Sequence, residues 1–221
     1  MQSFLTRLLG VLSFFAIIIS PVAQAVAPKA MIADAGMVAS RSAWASQVGA
    51  QILDQGGNAV DAAVAVGFAL AVTYPSAGNL AGGGFMVIHL NDGTVMTNDH
   101  REKAPAASTK DMFLDAKGSV VKGLSTKSHL AVGVPGSVAG LLSVLEKYGT
   151  MDRAQVIQPA IDLAANGILL DRDLVTGFAR RQADFAPFAA SRAVFSNNGE
   201  LYEIGDLWIQ SDLAQTLIRI R

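Results

Sequence analysis

The sequence predicts a layered α+β fold, and three observations lead to this prediction. Helix signals and strand signals alternate along the chain. The segment from Ala59 to Val72 is apolar on nearly every side, which is typical of a helix buried between layers. Segments 85–90 and 94–98 have strand composition and flank Asn91-Asp92-Gly93, so they predict a β-hairpin with a tight turn.

Capping residues set the boundaries of the predicted helices. Ser40 is a candidate N-cap for a helix through Asp54, after a short predicted strand at residues 36–39, and Gly56-Gly57 would end that helix. Asn58 is the candidate N-cap of the buried helix. Further helices are predicted at residues 137–148, 152–166, 172–181 and from Asp212 onward. A short extended piece and a turn are predicted at residues 112–118, and a hairpin around Asn197-Asn198-Gly199 is predicted over residues 194–204.

The last predicted helix shows no stop signal. Leu213, Leu217 and Ile220 form an apolar stripe, but no Gly, Pro or polar tail follows before Arg221. We therefore expect these residues to be part of a longer protein. A frayed natural end is the alternative.

Residues 1–25 have the composition of a secretory signal peptide. Arg7 precedes an apolar run from Leu8 to Ile19, and Ala23-Gln24-Ala25 gives the small-x-small pattern of a cleavage site. The run is short for a bilayer span, and an uncleaved anchor is the alternative. The mature domain is expected at residues 26–221, periplasmic or secreted, with no membrane attachment after cleavage.

The composition narrows the classes of function. The 221 residues include 17 basic and 18 acidic side chains, a formal net charge of −1, and this balance argues against nucleic acid as a partner. The sequence has no cysteine, so disulfides and thiolate metal ligands are excluded. His89, His100 and His129 are scattered along the chain and do not predict a metal site.

Three short motifs give weak support to other chemistries. Gly82-Gly83-Gly84 precedes a strand instead of a helix and lacks the lysine of a phosphate-binding loop. The segment from Ser119 to Lys122 matches S-x-x-K, but neither S-D-N nor K-T-G follows. The segment from Gly136 to Gly140 is one residue out of register for a nucleophile elbow, and we interpret it as a closely packed helix start.

The segment from Asp99 to Pro105 carries the strongest functional signal. It follows the predicted hairpin and places Arg101 where the chain leaves a strand. A guanidinium offers fixed N–H donors that match a carboxylate bidentately, so this position predicts a clamp for a small acidic substrate. A solvated arginine that pairs with Asp99 or Glu102 is the alternative.

Several sequence blocks occur in a fixed order and cover most of residues 26–221, thinning after about Asp171. They are Met37 to Ser40, Gly56 to Ala65, Gly78 to Met86, Arg101 to Pro105, Ser128 to Leu130, Gly133 to Gly140 and Lys147 to Met151. Together they resemble the N-terminal region of the gamma-glutamyltranspeptidase (glutathione hydrolase) family. Secretory signals also suit that family.

The resemblance implies a fold and a reaction. The fold is the N-terminal nucleophile hydrolase αββα sandwich, and this chain would be an incomplete N-terminal portion of its large subunit. The reaction moves a gamma-glutamyl group from glutathione, or a similar compound, to water or an amine. A threonine freed by self-cleavage is the nucleophile, and neither a metal nor an organic cofactor is involved.

The resemblance also assigns roles to individual residues. It gives Arg101 the task of binding the glutamyl alpha-carboxylate, with Asp99 and Glu102 as candidates that orient the guanidinium. His100 departs from the family pattern, in which an aromatic such as Phe is usual. For the glycines at 82–84 and the cap at 58–61, we favour packing and turn geometry over ligand contact.

One expected part of the machinery is missing from these residues. The family's nucleophile lies in a Thr-Thr-His type segment, and no Thr-Thr pair occurs here. The expected partners are the remainder of the large subunit and the small subunit, and we expect the chain alone to be inactive and to fold poorly. The alternatives are a non-catalytic exported domain that binds an acidic amino acid or a partner chain through Arg101, and a structural remnant without a ligand.

Overall fold

The computed structural model describes residues 30–221. The predicted signal peptide at residues 1–25 and the predicted mature N-terminus near Val26 lie outside the described residues. Residues 36–221 form one unit, and residues 30–35 belong to a separate one that has no helix or strand in its described part.

Helices and short antiparallel strands make up the unit, as the sequence predicts. The helices are α1 (Ala43–Asp54), α2 (Ala59–Thr73), α3 (Leu124–Lys127), α4 (Ser137–Tyr148), α5 (Arg153–Asn166), α6 (Arg172–Phe185), α7 (Ala189–Phe195) and α8 (Ser211–Ile220), with a 3₁₀ turn at His129–Ala131. The strands are β1 (Phe85–His89), β2 (Val95–Asp99), β3 (Ile168–Leu169) and β4 (Leu207–Trp208), and they pair as β1 with β2 and β3 with β4.

Helix α2 lies at the centre of the unit, which confirms the prediction from its apolar sequence. It packs against α1, α4 and α5, and Val64, Phe68 and Val72 are fully buried. Asn58 begins the helix with a capping box, because its side chain accepts from the Asp61 amide while the Asp61 carboxylate accepts from the Asn58 amide. The capping box therefore fixes where the buried helix begins.

The predicted β-hairpin is confirmed, and its two faces differ. Met86 and Ile88 face the helices, with Ile88 in the main core, whereas Phe85, Val87 and Val95 on the other face are more than half exposed. The turn at residues 91–93 uses Gly93 at φ +85°, a conformation that favours glycine. The hairpin ends at Asp99, and the next two residues begin the candidate site.

A second, smaller core lies beside β3 and β4. It is built around Trp208, which is fully buried, with Ile168, Leu174 and Phe178 packed around it. The Trp208 indole N–H donates to the carbonyl of Val194 at 2.8 Å. This core ties helix α6 to the segment that precedes α8.

The prediction of a hairpin over residues 194–204 is wrong. Val194 and Phe195 end helix α7 and pack their side chains against the second core, so burial of these two residues favours the helix. The predicted turn itself does form, with Asn198 at φ +53° and Gly199 at φ +96°, but the Asn197–Glu200 bridge is isolated. The turn could be predicted because its residues are adjacent in sequence, whereas the flanking structure depends on contacts with residues far along the chain.

Two predictions near residue 40 are also wrong. Residues 36–39 form no strand, since no described strand pairs with them. Helix α1 is capped by Ser42 instead of Ser40, and the Ser42 hydroxyl accepts from the Ala45 amide. The Ser40 hydroxyl instead bonds the Ser42 carbonyl and the Ser46 hydroxyl, each at 2.8 Å.

Candidate functional site

Arg101 lies two residues beyond the end of β2 with its side chain largely in solvent. The side chain is 61% exposed. Its Nε donates to Oε1 of Glu102 at 3.0 Å, and its guanidinium carbon lies 5.9 Å from the centre of the Phe85 ring. The ion pair and the aromatic contact place the stem of the arginine beside the outer face of the hairpin.

The two neighbouring carboxylates act on different parts of Arg101. Glu102 contacts the guanidinium, and the pKa of Glu102 is lowered first by its own backbone amide and then by Arg101. Asp99 contacts the main chain instead, accepting from the Arg101 amide at 3.0 Å. Among residues 30–221, then, Glu102 is the acid that contacts the guanidinium, and Asp99 contacts the main chain of the turn that carries it.

The outer end of the guanidinium is open. The Glu102 contact uses Nε of Arg101. No described residue accepts a hydrogen bond from Nη1 or Nη2, so both of these nitrogens are available. Two parallel N–H donors on a planar fork match the two oxygens of a carboxylate. The arrangement can therefore hold an acidic ligand without breaking the existing ion pair.

Two glycines flank the backbone that carries Arg101. A Cβ placed on Gly83 would lie 2.7 Å from the Arg101 Cα and 2.4 Å from the Glu102 amide nitrogen. A Cβ on Gly136 would lie 2.0 Å from the carbonyl oxygen of His100. The glycines provide room for the main chain, which agrees with the packing interpretation of the glycine-rich loop.

His100 lies under the Arg101 segment and packs against helix α4. Its Nδ1 is 2.7 Å from Oδ1 of Asn98. A Cβ on Gly140 would come within 2.1 Å of the His100 Cβ, and one on Gly84 would come within 2.9 Å of its Nε2. His100 therefore fills a space that exists because Gly84 and Gly140 lack side chains.

The glycine-rich loop is tied to the start of helix α4. The Gly82 carbonyl accepts from the amides of Gly136 and Ser137 at 2.7 and 3.0 Å. Oδ1 of Asn79 accepts from the Gly82 amide at 2.6 Å and from the Ser137 hydroxyl at 3.0 Å. Two amides at the start of α4 are thus already used within the protein, which disfavours a phosphate site there.

The sequence does not show which residues the glycines at 136 and 140 contact. Gly136 and Gly140 are four residues apart and therefore share one face of a helix. This spacing predicts close packing, as proposed, but it does not identify the packed partner. The structure shows that the partner is the segment that bears Arg101.

Other surface features lie away from Arg101. A cavity of about 480 Å³ is lined by residues that include Arg41, Tyr74, Arg172 and Arg180. Over the described part of the chain, no three His, Cys, Asp or Glu residues are grouped as a metal site would require. No helix within residues 30–221 has both the length and the apolar content to cross a bilayer.

The described residues form an α+β fold in which the Nη1–Nη2 fork of Arg101 is open just beyond the end of a β-hairpin. The family model described as Gamma-glutamyltranspeptidase matches residues 45–221. The chain belongs to the gamma-glutamyltranspeptidase family. This confirms the resemblance that the sequence blocks indicated.

Named relatives agree with the family assignment. The chain is 51% identical over 186 residues to a glutathione hydrolase proenzyme from Pseudomonas sp. (strain A14), covering 84% of this chain and 32% of that protein. It is 50% identical over 183 residues to the glutathione hydrolase proenzyme of Escherichia coli (strain K12), covering 82% and 32%. The chain thus spans about a third of the length of these relatives.

Solved structures support the same fold. The Helicobacter pylori gamma-glutamyltranspeptidase superposes with a TM-score of 0.83 at 46% identity, covering 86% of this chain and 55% of that one. The Pseudomonas nitroreducens gamma-glutamyltranspeptidase, complexed with L-DON, gives 0.77 at 40% identity, covering 86% and 55%. The predicted α+β, N-terminal nucleophile hydrolase fold is confirmed for the part of it that this chain supplies.

Proposed function

We propose that this chain is the N-terminal part of a gamma-glutamyltransferase or glutathione hydrolase, and that Arg101 binds the alpha-carboxylate of the gamma-glutamyl substrate. The observation that carries the proposal is the open Nη1–Nη2 fork of Arg101 among the described residues. Glu102 and Phe85 hold the inner part of the side chain, so the fork is presented outward. The family membership supplies the substrate class.

The proposed reaction proceeds through a threonyl acyl-enzyme. The threonine hydroxyl attacks the gamma-carbonyl, an ester forms, and the amine portion of glutathione leaves with a proton. Water or an acceptor amine then breaks the ester and releases the glutamyl group. These residues contain no Thr-Thr pair, and we place the nucleophile in the two thirds of the relatives' length that this chain does not span.

The location and the partners are part of the proposal. The apolar segment and the Ala-x-Ala pattern within residues 1–25 support export to the periplasm or medium. The remainder of a large subunit and a small subunit would complete the fold. Their contribution is needed because Arg101 lies on an open surface, and a binding pocket requires further walls.

DNA sequence beyond codon 221 tests the enzyme proposal directly. A continuing frame that encodes a Thr-Thr-His segment supports it. A stop codon contradicts catalysis by this gene product and leaves the non-catalytic domain, for which calorimetry of the folded chain with glutamate is the test. Absence of heat from a folded sample would then contradict binding as well.

Arg101→Ala should raise the KM for glutathione about 10- to 100-fold, since two charge-assisted hydrogen bonds to the carboxylate are lost. Self-cleavage should remain largely intact, because Arg101 is exposed and makes one ion pair in the described structure. The measurement uses the full-length gene product. If the frame ends at Arg221, a chimera is used in which this chain replaces the aligned segment of the Escherichia coli relative. We call either one the assay protein.

Arg41→Ala is the matched control for this experiment. Arg41 is 62% exposed, pairs with Asp173 at 2.8 Å, and lies 5.7 Å from the centre of the Tyr74 ring. It reproduces the exposure, ion pair and aromatic contact of Arg101 without belonging to the Arg101 segment, and the KM of the Arg41→Ala protein should stay within about twofold of wild type. Loss of self-cleavage in Arg101→Ala with an unchanged KM would refute the clamp.

A further inference from the structure

We propose that Gly83, Gly136 and Gly140 form a slot that positions Arg101 for the substrate carboxylate. We call these three residues the glycine slot. The inference rests on the proposed function of Arg101 and adds positioning residues to it. None of the three contacts the substrate in this proposal. They act through the backbone that carries the guanidinium.

Two glycines of the slot lie directly against the main chain. Gly83 faces the Arg101 Cα and the Glu102 nitrogen, at 2.7 and 2.4 Å from an added Cβ. Gly136 faces the carbonyl oxygens of His100 and Arg101, at 2.0 and 3.1 Å. These neighbours are backbone atoms, so no change of rotamer would relieve an added methyl group.

Gly140 extends the slot to a side chain. An added Cβ would lie 2.1 Å from the Cβ and 2.2 Å from the Cγ of His100. The imidazole has little freedom to move away, since its Nδ1 is 2.7 Å from Oδ1 of Asn98. The ring therefore anchors the residue directly before Arg101 against helix α4.

Hydrogen bonds hold both walls of the slot in place. The His100 amide donates to the Gly84 carbonyl at 3.0 Å. Lys103 and Val134 exchange two backbone hydrogen bonds at 3.1 and 2.7 Å. Arg101 lies between these fixed points, so a displaced wall shifts the guanidinium, and binding geometry tolerates only about 0.5 Å.

Space is the reason for glycine at these positions, because backbone conformation does not demand it. The described glycines with positive φ do not include Gly83, Gly136 or Gly140, so alanine can adopt the backbone angles at each. An alanine substitution then tests the close contact alone. Gly177 in helix α6 offers a matched control, since no atom lies within 4 Å of an added Cβ there among the described residues.

The experiment measures glutathione kinetics of the assay protein with Gly140→Ala and with Gly177→Ala. Gly140→Ala should raise KM at least about tenfold while kcat changes less than about threefold, and Gly177→Ala should change neither. In an Arg101→Ala background, Gly140→Ala should add less than about a twofold further rise in KM, because the slot acts through Arg101. A merely structural defect would raise KM equally in both backgrounds.

Each outcome decides the inference. A Gly140→Ala protein that behaves like Gly177→Ala overturns it, and so does a rise in KM that persists in full without Arg101. If Arg101→Ala itself has a normal KM, the proposed function fails instead, so the two failures are distinguishable.

A second variant covers the case in which Gly140→Ala does not fold. The pair Gly140→Ala with His100→Gly removes the Cβ that clashes. Recovered folding with a raised KM would support the positioning role, since the ring anchor is absent. Recovered folding with a normal KM would contradict it.

Discussion

Asp61 and Arg101 are two charged residues with opposite surroundings. The Asp61 side chain is fully buried, and its carboxylate accepts from the amides of Asn58, Thr150 and Met151 and from the Thr150 hydroxyl, at 2.7 to 3.2 Å. Arg101 is 61% exposed and makes one described ion pair. The charge of Asp61 is fully satisfied within the protein, whereas the outer donors of Arg101 remain open to a ligand.

The two regions therefore have different surroundings, although both lie in the sequence blocks that resemble the family. Asp61 joins the first turn of α2 to the turn between α4 and α5, and Asn58 reinforces the joint by donating its side-chain amide to the Tyr148 carbonyl at 2.8 Å. Arg101 forms its ion pair with the adjacent residue Glu102, so within residues 30–221 this pair does not connect distant segments. The comparison predicts that loss of Asp61 damages the fold and loss of Arg101 damages binding.

Asp61→Asn should lower the free energy of unfolding by about 3 kcal/mol, the largest effect we expect on stability. An amide in place of the carboxylate has one acceptor oxygen and directs an NH₂ group at donors, so several buried N–H groups lose their partner. Urea unfolding of the assay protein measures the change.

Thr150→Val is the graded control for that result. It keeps the branched shape and the Thr150 amide while removing only the hydroxyl that donates to Asp61 at 2.7 Å. Its cost should be about 1 to 2 kcal/mol, clearly less than that of Asp61→Asn. A loss in Asp61→Asn no larger than this would mean that the buried amides find other partners.

The contribution of Asp61 should disappear in acid. Burial would raise the pKa of Asp61, but hydrogen bonds from the Thr150 hydroxyl and the amides of Asn58, Met151 and Thr150 lower it below its usual value. A lowered folded-state pKa stabilises the protein above the unfolded pKa, and this stability is lost as pH falls through the folded pKa. The stability gap between wild type and Asp61→Asn should therefore be full at about pH 6 and begin to shrink near pH 4.

Unfolding curves at several pH values test this dependence. The gap is compared between pH values on both sides of the ordinary aspartate pKa, about 3.9. A gap that widens as the pH falls would show that the Asp61 pKa is raised in the folded protein, and the hydrogen bonds would then not outweigh burial.

Features decided by neighbouring residues could be predicted from the sequence. The bounds of α4 at Ser137–Tyr148 and the end of α5 at Asn166 were predicted correctly, and so was the Asn58 cap of α2. Caps, glycine stops and hairpin turns depend on residues within about four positions of one another, which a single sequence displays. The position of Arg101 just beyond the hairpin could be predicted for the same reason, whereas the choice of Glu102 as its ion-pair partner was left open by the sequence.

Features decided by distant residues could not be predicted. Val194 and Phe195 are helical because of the second core around Trp208, and residues 36–39 form no strand because none pairs with them. The glycine slot brings Gly83, Arg101 and Gly136 together across 53 positions of sequence. Only the three-dimensional fold shows which segments meet, whereas the sequence shows only that the glycines allow a close approach.

Arg101→Met should have the smallest effect on stability, with the unfolding temperature of the assay protein changing by less than about 2 °C. The substitution removes the charge but keeps an apolar stem over the Phe85 ring, and an exposed ion pair contributes little in water. Arg41→Met is the matched control, because the Arg41 side chain is about as exposed as that of Arg101. A fall in unfolding temperature as large as that of Asp61→Asn would contradict the comparison, because it would make Arg101 a structural residue whose charge serves the fold before any substrate arrives.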